Sequence, residues 1–475
     1  MNFLSLLFFA FFIVLFILYY VLPEKAQWIL LLAGSLVFYL ALSIPAVLAL
    51  ALESLIVFVA AKKVREKKGL VLVLSLILIV LIIALKAVPV KLISTLGMSY
   101  YTLMLIGYLV DVYNETIEPE KNYARLLLFA GFFPAISQGP INRYEALASQ
   151  FRTGHKFELQ TIKKGLIRFG WGAFKKMVIA NRAAAFMAAV GANEKAAGSI
   201  VLLCLILMPL NLYADFSGCV DMALGIGQML GIDLPENFRQ PYFSRSIPEF
   251  WRRWHITLSS WMKDYIYYPV MMSKPVKKFI KAAGKEKKKS RTKLASCAAL
   301  MILWIFMGLW HGTGWKFLFM GIYCGIVFIL TYLLEPVSKK FDESHEKLTS
   351  NPIWKFWQQL RTAFLAWFPT IMIGVASFTQ FINYLGKIFT DFRIKKVFDG
   401  GLFKFGLDEI QWILLILGFL ALLVGSVIEY NFREKITDLV AKQKLPIRIL
   451  IYWFVILMIM LSLSVANTEF VYAQF

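Results

Sequence analysis

The chain has 475 residues, of which 59% are hydrophobic, 16% aromatic and only 17% charged, and its net charge is +22. Soluble domains run nearer to about 45–50% apolar and about 25% charged, so a water-soluble globular fold is excluded. The basic excess does not mark a nucleic-acid binder, because it sits in short clusters between long apolar runs.

Apolar runs long enough to cross a bilayer, or nearly so, recur at 3–22, 27–43, 46–61, 69–86, 93–110, 199–213, 294–310, 315–334, 357–386, 411–428 and 446–465. Lipid offers no partner to free backbone groups, so such runs must be helical, and no period-two alternation indicates a barrel. The expected fold class is an all-α membrane protein, a polytopic bundle of about 11–13 transmembrane or re-entrant helices. The first run has no basic start and no small-x-small cleavage site, so it reads as an uncleaved span rather than a signal peptide. Basic clusters follow at Lys62–Lys68, at Lys277–Lys293 and at Arg393–Lys396. Such clusters mark the cytoplasmic side and attract anionic headgroups, and counting back three spans from the first puts the N-terminus outside. With no internal repeat and no soluble segment, residues 1–475 read as one polytopic domain. Its polar residues concentrate in the middle, and 210–275 shows no plain span. Cys204, Cys219, Cys297 and Cys324 lie apart in apolar surroundings, which points to packing rather than to a disulfide or a metal site.

Four histidines are present. His155 and His345 fall in hydrophilic stretches and read as solvated loop residues. His311 stands in Gly308-Leu309-Trp310-His311-Gly312, at the junction of two apolar runs, where an ionisable group is costly and therefore a functional candidate. The glycines there permit a sharp turn or a close backbone approach. His255 follows a helix start: Ser246 and Glu249 form a capping box, with Pro248 in the first turn. Trp251, Trp254, Leu258, Trp261 and Tyr265 then make one stripe of a single amphipathic helix, with Arg252, Arg253, Ser260, Lys263 and Asp264 opposite. His255 lies at the edge of that stripe, pointing into the protein.

Two imidazoles on separate elements can share one site, one taking a proton from a hydroxyl and the other orienting it or supporting developing charge. No GxSxG elbow, P-loop, HExxH or dinucleotide fingerprint is present. Direct transfer between two bound substrates is favoured by these absences. A transporter would place paired ionisable groups in related halves, which the sequence lacks. An inert envelope scaffold is the remaining alternative.

The stretch 215–225, Pro235-Glu236-Asn237-Phe238 and the 246–268 segment resemble the signature of the membrane-bound O-acyltransferases. Phe132-Phe133-Pro134, Gln138-Gly139-Pro140-Ile141 and Arg143-Tyr144 resemble an upstream motif of that family. Gly308-Leu309-Trp310-His311-Gly312 is similar to its active-site histidine motif. Lys175-Lys176 through Asn181 and the ending Glu469–Phe475 are closest to the bacterial alginate O-acetyltransferase branch. The resemblance implies a ring of tilted helices around a central tunnel, with a functional core at about residues 95–325. It makes His311 the main catalytic residue and His255 its partner, with Trp310, Trp254, Arg252, Asp264, Ser259, Asn237 and Asp215 binding substrate or supporting the site. No bound cofactor or metal is implied. Acetyl-CoA or an acyl-carrier thioester is the co-substrate, reaching the site from the cytoplasm of a bacterial cell. The acceptor is an extracytoplasmic polysaccharide, or a separate acetyltransferase partner that completes the transfer. D-alanyl transfer in teichoic acid modification is the alternative within the family.

Overall fold

Short polar side chains open several of the apolar helices. Ser5 Oγ accepts from Phe8 N–H, Ser43 Oγ from Ala46 N–H and Asp408 Oδ1 from Gln411 N–H, so each satisfies a donor that its first turn leaves over. The computed structural model describes residues 2–41, 43–87, 97–136 and 138–463. The C-terminal motif at 469–475, and part of the expected span at 93–110, lie outside the described residues. The protein is an all-α membrane protein, and 79% of the described residues are helical. Among the described residues, five helices are long and apolar enough to cross a membrane: Ile44–Ala61, Gly198–Met229, Lys287–His311, Trp315–Ser344 and Glu409–Phe432. Shorter apolar helices cover Leu6–Val21, Gly69–Leu81, Tyr123–Ala135 and Leu445–Met460.

The chain forms two compact units, and the Gly198–Met229 helix contributes residues to each. One comprises Met1–Ala185, Tyr213–Pro235 and Leu407–Phe475. In it the Leu159–Phe174 helix meets the later half of Gly198–Met229 backbone to backbone. A Cβ on Gly172 would come within 2.5 Å of the Gly218 carbonyl oxygen, and one on Gly165 within 2.6 Å of that of Gly225. Small residues at seven-residue spacing let the two main chains touch. Beyond this crossing Lys175 Nζ reaches Asp221 at 2.6 Å and Ser217 at 2.8 Å, Arg168 reaches Asp221 at 3.0 Å, and Lys176 Nζ reaches Asp215 at 2.6 Å. These partners correct the sequence reading of 210–275 as lacking a plain span. A single 32-residue helix runs to Met229, because its acidic residues are neutralised by cations of a neighbouring helix rather than by water.

The other unit comprises Phe186–Leu212 and Glu236–Gly406. Its centre is the hairpin of Gly284–His311 and Trp315–Ser344. A Cβ on Gly308 would lie 2.4 Å from the Phe317 carbonyl oxygen, and one on Gly321 2.5 Å from that of Trp304. The close approach expected of the glycines beside His311 is therefore made by this hairpin. The run at 357–386, read as one span, is two helices, Pro352–Gly374 and Phe378–Thr390. Ser377 Oγ accepts from Gln380 N–H while Gln380 Oε1 accepts from Ala376 N–H. Lys316 Nζ donates to the Val375 carbonyl at 2.6 Å, so the broken backbone keeps its hydrogen bonds. The four cysteines are free, and Cys204, Cys219 and Cys324 are buried, in keeping with a packing role.

Candidate active site

The capping box forms as expected, with one displacement. Ser246 Oγ accepts from Glu249 N–H at 3.4 Å, but the Glu249 carboxylate reaches back to Arg245 N–H and pairs with Arg253 at 2.8 Å. The helix it opens is not the single amphipathic one that the aromatic stripe indicates. Ile247–Arg253 ends, Trp254 is extended, His255 is left-handed at φ 45° and ψ 52°, and a second helix occupies Ile256–Met262 before a wide π turn at Lys263–Tyr267. A left-handed histidine is uncommon and needs its surroundings to hold it. Asn237 and its neighbours do so. Asn237 Oδ1 accepts from Thr257 N–H at 3.1 Å and from Thr257 Oγ1 at 3.0 Å, and its backbone carbonyl accepts from Ile256 N–H. Phe238 and Trp254 form an antiparallel bridge, and Arg239 N–H donates to the Arg253 carbonyl. The donors released at the break are thus taken up by the segment before it.

The same amide oxygen settles the chemistry of His255. His255 Nδ1 lies 3.2 Å from Asn237 Oδ1. A backbone N–H can only donate, so the atom facing Thr257 must be the oxygen of the Asn237 amide. Nδ1 then carries the proton, and the neutral ring keeps its lone pair at Nε2. The imidazole is 2% exposed, and burial pulls its pKa from 6.5 down to about 3. Because the folded pKa is depressed, its contribution to stability is complete above about pH 6.5 and is lost as pH falls towards 3. We expect the thermal midpoint of detergent-solubilised protein, followed by tryptophan fluorescence, to fall over that window. In His255→Asn, which suits the left-handed backbone, the fall is shallower. Parallel profiles for the two proteins would contradict this assignment.

His311 is the last residue of the Gly284–His311 helix and is 8% exposed. Its ring centroid is 4.9 Å from that of Trp310, and the His255 ring is 6.3 Å from the same indole. Trp310 therefore stands against both imidazoles. Trp254, next to His255 in sequence, is buried, stacked on Phe250 at 5.6 Å and edge-on to Phe238 at 5.1 Å. Ser259 is half-buried, with its hydroxyl directed to the Trp254 carbonyl. Arg252, in the Ile247–Arg253 helix, and Asp264, in the π turn, are exposed. Asp215 belongs to the other compact unit, paired with Lys176. The geometry thus gathers His255, His311, Trp310 and Asn237. Thr257, which shares the Asn237 oxygen, was not singled out from sequence; a hydroxyl two residues beyond a buried histidine is too common a pattern to flag. Of the two histidines read as solvated, His345 is exposed but His155 is half-buried. The His155 N–H donates to Gln27 and its ring Nε2 lies 2.9 Å from the Gln150 carbonyl.

Residues 120–284 match the model of the MBOAT, membrane-bound O-acyltransferase family, a stretch that includes His255 and stops short of His311. The chain is 35% identical over 231 residues to the probable alginate O-acetylase of Azotobacter vinelandii, covering 48% of this chain and 43% of that protein. It is 32% identical to the peptidoglycan O-acetyltransferase of Helicobacter pylori, covering 54% and 51%. It is 25% identical to the teichoic acid D-alanyltransferase of Streptococcus thermophilus, covering 68% and 78%. The chain spans about half the length of the first two of these relatives.

Proposed function

We propose that the chain is a membrane-bound O-acyltransferase, a reading supported by the match of residues 120–284 to that family, and that it transfers an acyl group, acetyl in the first reading, from a thioester to a hydroxyl of a cell-surface or secreted polysaccharide. The observation that carries this reading is the pair of buried imidazoles against one indole, one of them with its tautomer fixed. His311 acts as the base. The acceptor oxygen attacks the thioester carbonyl carbon as its proton passes to His311. The carbon–sulfur bond then breaks, and the thiolate leaves with that proton. Neutral His255 offers a lone pair at Nε2, so it accepts from a second hydroxyl of the bound acceptor and holds the reacting one towards His311. It cannot donate to an oxyanion in this tautomer, which narrows the two roles that sequence left open.

The donor, acetyl-CoA or an acyl-carrier thioester, comes from the cytoplasmic side of a bacterial membrane whose outer face holds the N-terminus. The product passes to polysaccharide directly or through an extracytoplasmic acetyltransferase. Residues 95–325 are the functional core in this reading. D-alanyl transfer is the second reading, favoured by the long alignment to a teichoic acid enzyme. Purified protein in nanodiscs separates the two. Release of coenzyme A from radiolabelled acetyl-CoA supports acetyl transfer, whereas turnover of a D-alanyl-carrier thioester alone moves the protein to the second reading. Failure with both donors would sink the acyl-transfer proposal.

A further inference from the structure

The segment 274–293 carries ten basic residues against Glu286 alone. It folds as the short helix Lys274–Lys281 followed by the charged start of Gly284–His311, with Lys277, Lys278, Lys281, Lys287, Lys288 and Lys289 exposed. Directly beside this surface is a cavity of about 340 Å³ with an almost wholly apolar lining. Val270, Val276 and Phe279 form one wall, and Leu294, Ala298 and Ile302 form the other. The last three are successive turns of one helix, starting at the residue after Lys293 where its charge ends. They mark out a groove about 12 Å deep running from the basic surface into the apolar part of the span. At its mouth the Arg291 guanidinium lies 4.9 Å over the Phe279 ring and donates to the Phe279 carbonyl at 2.8 Å. That bond uses one of five donors, and the remainder stay in the plane where a phosphate would sit.

We propose that this is a binding site for an anionic phospholipid, with its phosphate against Arg291 and the lysines and one acyl chain along Val276, Phe279, Leu294 and Ala298. Clustered cations just outside a span attract anionic headgroups in general, but they leave no groove. Here the groove continues from the cations to hydrocarbon depth, which selects a ligand that is charged at one end and aliphatic at the other. An acidic soluble partner, such as a carrier protein, would match the charge but would remain in water and leave Ala298 and Ile302 uncovered.

Native mass spectrometry of the full chain in detergent, with phosphatidylglycerol or phosphatidylcholine of the same acyl chains, tests the site. The wild type is expected to retain phosphatidylglycerol about tenfold more than phosphatidylcholine. Lys277→Glu/Lys278→Glu/Arg291→Gln should remove that preference, and Ala298→Trp, which fills the groove, should lower retention of both lipids, each with an unchanged thermal midpoint. Undiminished phosphatidylglycerol retention in the charge variant would overturn the proposal. So would Ala298→Trp binding both lipids like wild type, because the attraction would then be diffuse. If an acidic acyl carrier protein bound in phosphatidylcholine nanodiscs and the charge variant lost the carrier while keeping phosphatidylglycerol, the surface would belong to the carrier instead.

Discussion

His311→Ala is expected to lower thioester turnover by about 10²–10⁴-fold, the usual contribution of a positioned general base, while leaving expression and the thermal midpoint close to wild type. His311 is the terminal residue of its helix and is followed by glycine, so truncating its ring breaks no helical hydrogen bond. The Gly308 and Gly321 contacts that seat the hairpin involve backbone on both sides and survive the substitution. Coenzyme A release measured in nanodiscs, with the variant beside wild type, decides the matter. Undiminished release would remove His311 from the chemistry, and a collapsed thermal midpoint would show that the residue is structural.

The second large effect concerns stability. Lys176 and Asp215 are 1% and 2% exposed and lie 2.6 Å apart. Removing one charge leaves the other buried with weakened compensation, which typically costs about 3–5 kcal/mol. Lys176→Met and Asp215→Leu are each expected to depress the thermal midpoint strongly. Replacing both with apolar groups removes two desolvated charges together, and the double variant should recover most of the loss. Additive losses in the double variant would mean that the pair contributes through other partners. Activity in that double variant also asks whether Asp215 has the supporting role that the family resemblance implies.

Local rules made the helix starts and the membrane class readable. Ser246, Glu249 and Pro248 announce a helix, and His311 is flagged by being ionisable between two apolar runs. Breaks and continuations that depend on distant partners were less visible. The aromatic spacing from Trp251 to Tyr265 passes through Trp254 and His255 without a flaw, because the residue that holds the break, Asn237, lies 18 positions upstream of His255. Asp215 and Asp221 look like loop residues until Lys176 and Lys175 are known to face them. The break before Phe378 is a different case. Ser377 and Gln380 form a capping box inside the apolar run, and that signal was available but outweighed by hydropathy. The ring of helices and its tunnel rest on the family resemblance.

The Gly284–His311 helix also works as a ruler. Its uncharged part begins at Leu294 and ends at His311, which at 1.5 Å per residue is a run of about 27 Å. The hydrocarbon core of a bilayer is about 30 Å thick. If His311 acts on a thioester presented at the basic end of this helix, as proposed, the acyl group has to be carried about that distance along the span. In that reading the length of the donor's tether, as well as its acyl group, takes part in selecting the donor.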